Sequence, residues 1–132
     1  MPTRSLSSSV LKWPSREAVL DAAKRWAARI YAEQPQVMQI GCFGSYARGD
    51  AGVGSDLDIV IVVGDAFKEQ AASQIDASRL PVPADVLVYS ETEWQALQRS
   101  GGRFARVLAG ETLWIRRPHH NPPPQARGRE FD

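Results

Sequence analysis

Residues Gly41 to Val63 read GCFGSYARGDAGVGSDLDIVIVV, and this stretch decides the fold. Phe43-Gly44-Ser45 ends a short apolar run and opens a tight turn. Ten residues follow Ser45 before Asp56-Leu57-Asp58, and the β-branched run Ile59 to Val63 follows at once. A continuous apolar run of this kind predicts a strand buried on both faces. Asp56 and Asp58 stand two apart in an extended chain, so their side chains leave the same face. Adjacent carboxylates repel unless a cation lies between them. Magnesium takes carboxylate oxygens together with substrate phosphates, so the pair reads as a platform for a metal-bound nucleotide. Gly44 lets the backbone approach a phosphate, Ser45 offers its hydroxyl and N–H, and a helix start adds positive dipole.

A third carboxylate follows downstream. Asp85 lies in Ala84-Asp85-Val86-Leu87-Val88, which is otherwise apolar. An unpaired carboxylate among apolar neighbours is costly, so Asp85 calls for a partner. Beside the Asp58 strand it would face the same site. There it would serve a second metal and take the proton of an attacking hydroxyl, since two metals clamp the attacking and leaving oxygens of an in-line displacement. Arg48 would either contact phosphate or brace the turn by pairing with Asp50. Ser55 is a further nucleotide-binding candidate, although its hydroxyl also suits a hydrogen bond within the turn.

Outward from this centre the chain alternates. Ser15 caps a helix over Arg16 to Glu33, with Val19, Ala22, Ala23, Trp26, Ala27, Ile30 and Tyr31 at three- and four-residue steps, and Pro35 ends it. Val37 to Phe43 reads as a strand with positions 38, 40 and 42 on one side. Asp65 to Ser78 reads as a helix capped by Asp65, broken by Pro81 and Pro83. Ala84 to Tyr89 is a strand and Ser90 to Arg99 a helix. After Gly101-Gly102 a further helix, Arg103 to Ala109, stops at Gly110, and Thr112 to Arg116 is a last strand. The order predicts an α/β (α+β) domain, a small sheet flanked by helices, over residues 15–117. Residues 1–14 read as a polar lead-in, and 118–132, with Pro122-Pro123-Pro124, as a disordered tail.

Composition narrows the function. The 132 residues carry 16 basic and 15 acidic groups, net +1, without the basic excess that duplex binding rewards. The single cysteine, Cys42, excludes an internal disulfide framework and fits a reducing cytoplasm, with the thiol a small buried residue. No apolar run is long enough to span a membrane. His119-His120 lacks the further ligands of a metal site and reads as solvated. Arg99, Arg103, Arg106, Arg116 and Arg117 are either a phosphate or partner surface or a solvated face.

The motif Gly44-Ser45, ten residues, Asp56-Leu57-Asp58 resembles the defining signature of the DNA polymerase β-type nucleotidyltransferase superfamily. The surrounding Gly44-Ser45-Tyr46-Ala47-Arg48-Gly49-Asp50 and Ser55-Asp56-Leu57-Asp58-Ile59 are similar to its minimal branch, the MNT proteins. Phe104 to Trp114 resembles the closing helix and strand of that branch. The resemblance implies that Gly44 and Ser45 hold the triphosphate of ATP, that Asp56 and Asp58 hold Mg²⁺, two ions in all, and that Asp85 is the third catalytic carboxylate. It further implies an antitoxin paired with a HEPN-domain ribonuclease toxin, to which some members attach AMP. Two alternatives stand beside this reading. One is an aminoglycoside-type adenylyltransferase, disfavoured because those enzymes usually add a helical domain. The other is an antitoxin that acts by binding alone.

Overall fold

The computed structural model describes residues 13–118 and the backbone of residues 129–131. Helix α1 spans Arg16–Glu33 and strand β1 spans Val37–Phe43. A one-turn helix α2, Ser45–Arg48, leads through a loop to β2, Leu57–Val63. A 3₁₀ turn at Asp65–Phe67 and helix α3, Lys68–Gln74, cross to β3, Ala84–Ser90. Helices α4, Glu91–Ser100, and α5, Arg103–Glu111, then precede β4, Leu113–Ile115, and β5, Arg129–Phe131.

The strands form one mixed sheet in the order β3-β2-β1-β4-β5. β1 runs antiparallel to β2 and β4, while β2 and β3, and β4 and β5, are parallel. β2 sits inside the sheet with both faces covered, as its continuous apolar run demands; all its residues but Asp58 are buried. The alternation of side chains sends Ile59, Ile61 and Val63 into one core with Ile40, Cys42 and the apolar stripe of α1. Val60 and Val62 enter a second core with Phe43, Trp94 of α4 and Leu108 of α5. Each fully buried branched side chain contributes about 1.5–3 kcal/mol. Gly41 admits this second layer: a Cβ there would meet Thr112 Cγ2 at 2.5 Å and the Trp114 ring at 2.8 Å. Trp114 in turn meets Trp94 edge-on at 5.6 Å.

Helix α1 starts where expected, with Ser15 Oγ accepting from Ala18 N–H at 3.1 Å. It docks Tyr31 between two strands. The phenol donates to Ile115 O at 2.8 Å and accepts from Ile40 N–H at 2.9 Å, filling the gap where β1 and β4 part. Arg117 stacks 4.5 Å above the same ring, so it is a packing element and not part of a free basic face. Arg99, Arg103 and Arg106 are exposed.

Four local expectations need correction. The side of β1 predicted at 38, 40 and 42 is broken, because an irregularity between Val37 and Gln39 turns Met38 outward to 45% exposure. Asp65 does not cap its own helix; its carboxylate accepts from Thr92 N–H at 2.9 Å and Thr92 Oγ1 at 2.5 Å, serving the open donors at the start of α4. The helix predicted to Ser78 stops at Gln74, where Ile75 turns extended, well before the prolines. Gly110 is helical and Thr112, not Gly110, closes α5. His119-His120 lies outside the described residues, as does the predicted tail apart from residues 118 and 129–131 and the lead-in before Trp13. No helix among the described residues is long and apolar enough to cross a membrane.

Candidate active site

The C-terminal end of β1 and the N-terminal ends of β2 and β3 meet at one edge of the molecule. Phe43 pairs with Asp58 across β1 and β2, and Asp58 pairs with Asp85 across β2 and β3. Asp56 precedes Asp58 by two residues on the same side. The sheet therefore gathers Asp56, Asp58 and Asp85 on the face that α4 and α5 cover further along. Asp56 and Asp85 are exposed, and Asp58 is half-buried between them.

Gly44 closes the turn above Asp58. Its φ of +77° with ψ of −152° is a conformation essentially confined to glycine. A Cβ at Gly44 would stand 2.2 Å from Asp58 Oδ2, so the carboxylate lies directly against the glycine backbone. Ser45 then starts α2, whose first-turn N–H groups have no helical acceptor of their own. Gly49, with φ of +93°, ends that turn in the left-handed region and donates to Ser45 O at 2.9 Å.

The electrostatics of Asp58 agree with the geometry. Burial pushes the Asp58 carboxyl up from its ordinary value, neighbouring Asp85 and Asp56 push it further, and Arg48 pulls it back. A cation would relieve this crowding. The donor set is all carboxylate oxygen, which suits a hard ion such as Mg²⁺. Among the described residues no three His, Cys, Asp or Glu side chains close into a ready metal cage. Mg²⁺ ordinarily takes one or two carboxylates and completes its shell with water and substrate phosphate. Cys42, behind Asp58, is a buried thiol pushed up to about 12 by burial and by that carboxylate, so it is no nucleophile.

The remaining predicted residues lie at the rim. Arg48 pairs with Asp50 at 3.2 Å and also with Glu111 of α5 at 3.0 Å, so the bracing role is realised. Ser55 Oγ accepts from Gly52 N–H at 2.9 Å, which places it in the turn between α2 and β2. Sequence reasoning missed the supports of α2. Arg16 Nε donates to Tyr46 O at 2.7 Å, and its Nη2 to Ala47 O at 3.3 Å, closing the C-terminal carbonyls of the turn. Trp13, read as lead-in, donates from Nε1 to Tyr46 Oη at 3.2 Å. These contacts span about thirty residues, and no local pattern signals them.

The profile of the nucleotidyltransferase domain family matches residues 24–108 of the chain. The structure is similar to a crystal structure described as a candidate nucleotidyltransferase from Sulfolobus solfataricus. The TM-score is 0.53 with 20% identity, over 78% of this chain and 84% of that one. At that identity the likeness concerns the fold. Two further structures align at TM-scores of 0.47: a toxin-antitoxin with AMP-PNP at 19% identity, and a variant of the toxin-antitoxin MntA-HpeT at 15%. Each covers 73% of this chain and 74% of its own. No curated protein matches the chain.

Proposed function

The chain belongs to the nucleotidyltransferase domain family, and on that premise we propose that it transfers AMP from Mg-ATP to a hydroxyl of a partner protein, a HEPN-domain toxin. The observation that carries the transfer is the register Phe43–Asp58–Asp85, with Asp58 against Gly44 and Asp85 on the neighbouring strand. The acceptor rests on the resemblance of the Gly44 to Ile59 motif to the MNT branch.

In this reading Gly44 and Ser45 hold the phosphates by backbone N–H and hydroxyl, close enough because no Cβ intervenes. Asp56 and Asp58 hold Mg²⁺, with Asp85 completing the set for a second ion. Bound there, Mg²⁺ would supply charge neutralisation for the phosphates and ease deprotonation of the acceptor hydroxyl. The acceptor oxygen bonds to the α-phosphorus, the bond from that phosphorus to the β-phosphate oxygen breaks, and pyrophosphate leaves. Asp85, exposed at the strand end, receives the hydroxyl proton. Arg48, anchored by Asp50 and Glu111, keeps positive charge at the rim where negative charge develops.

The test is the intact mass of the toxin after incubation with the chain, ATP and Mg²⁺. The expected result is a gain of one AMP per modified hydroxyl, lost in Asp56→Ala/Asp58→Ala. A tight complex without any mass gain would instead mean neutralisation by binding alone.

A further inference from the structure

Helix α5 presents one stripe to the carboxylate end of the sheet: Phe104, Leu108 and Glu111 recur at four- and three-residue steps. Glu111 holds Arg48 beside the Gly44 turn, and Leu108 is buried in the core beneath α5. Phe104 is different. Its ring meets Phe43 edge-on at 5.9 Å, yet the residue remains 39% exposed. Phe43 immediately precedes Gly44 and pairs with Asp58. An open aromatic ring thus stands one side chain away from the phosphate turn and the carboxylates, on the same face of the sheet. The other exposed phenylalanine among the described residues, Phe67, sits beyond Val63 at the opposite end of β2.

We propose that Phe104, propped by Phe43, is the platform on which the base of the bound nucleotide stacks. This rests on the nucleotidyltransferase reading of the Gly44–Asp58 site. A nucleotide anchored there by its phosphates has its base tethered only a ribose away, and Phe104, against Phe43, offers an exposed aromatic surface on this face. Leaving a large ring open to water is unfavourable, and stacking a base on it removes that exposure. Each base has a π-face, so a platform of this kind binds without reading the base edge. Binding therefore tolerates a change of base, and discrimination among nucleotides, where it exists, comes from elsewhere.

The experiment compares Mg²⁺-dependent binding of ATP and of inorganic tripolyphosphate by calorimetry. It uses the wild-type chain, Phe104→Ala, Phe104→Trp and Asp58→Ala. Phe104→Ala is expected to weaken ATP roughly 5- to 150-fold and to leave tripolyphosphate unchanged, while Phe104→Trp restores ATP binding. Equal weakening of both ligands in Phe104→Ala would assign the ring a structural role and overturn the platform. So would ATP binding that requires Asp58 but is indifferent to Phe104, with the enzyme reading left intact. A wild-type chain that binds neither ligand would overturn the enzyme reading itself and the platform with it.

Discussion

Gly44→Ala strikes the point where backbone and carboxylate touch. The new methyl would lie 2.2 Å from Asp58 Oδ2, whereas ordinary contact begins at 3.4 Å, so the carboxylate has to move by 1.2 Å (3.4 minus 2.2) or the turn has to open. The φ of +77° adds strain of about 1–3 kcal/mol for any residue with a Cβ. Displacing a reacting group by about 1 Å costs on the order of 10²-fold in rate. The variant is therefore expected to lose both stability and transfer. Chemical denaturation measures the first, and AMP transfer under saturating ATP the second. The same substitution in an Asp58→Ala background separates strain from clash. There the nearest remaining atom of residue 58 is its Cβ, at 3.4 Å, so only the backbone strain persists and the stability cost shrinks. An undiminished cost in that background would refute the contact. Wild-type stability and transfer in Gly44→Ala would refute the site geometry altogether.

Other expectations follow from the same structure. Asp58→Ala abolishes transfer yet melts no lower than wild type, because the burial and like charges that push its carboxyl up are relieved; a fall in melting temperature would count against the crowding. Tyr31 is held up to about 12, from 10, by burial. Between those values Tyr31 of the unfolded chain ionises first, so its contribution to stability is present below pH 10 and is lost, on the order of 2–3 kcal/mol, as pH rises through 12, alongside that of the buried Cys42 thiol. Tyr31→Phe is expected to make that alkaline slope shallower, the buried Cys42 thiol keeping its own share, and to cost about 1–3 kcal/mol at neutral pH, since Ile40 N–H loses its acceptor. Ser90→Ala opens the capping box in which Ser90 Oγ accepts from Glu93 N–H and Glu93 accepts in return, a loss of about 0.5–2 kcal/mol in urea unfolding.

Much of this was legible in the sequence where chemistry and local pattern coincide. The β2 run, the Ser15 cap and the α1 stripe are local signals, and they appear in the structure as read. The spacing of Gly44-Ser45 to Asp56 and Asp58 placed the carboxylates because a strand alternates faces regardless of its neighbours. Asp85 needed one tertiary assumption, that its strand lies beside β2, and the parallel register supplies it. Contacts that cross elements were not legible. Asp65 serves α4 rather than its own helix because Thr92 is brought to it by the crossover from β2 to β3. Arg48 finds Glu111 sixty-three residues away, and Arg16 reaches back to α2. The bulge that turns Met38 outward has no Gly or Pro to announce it.

The most direct measurement follows the two ends of ATP at the Gly44–Asp58–Asp85 site. Transfer is run in parallel with ATP labelled at the α-phosphate and at the γ-phosphate, with Mg²⁺ and the proposed HEPN-domain toxin as acceptor. Nucleotidyl transfer predicts that the α-label becomes protein-bound, that the γ-label leaves as pyrophosphate, and that Asp56→Ala/Asp58→Ala stops both. A γ-label on the acceptor, or an α-label transferred equally well by the double variant, would contradict it.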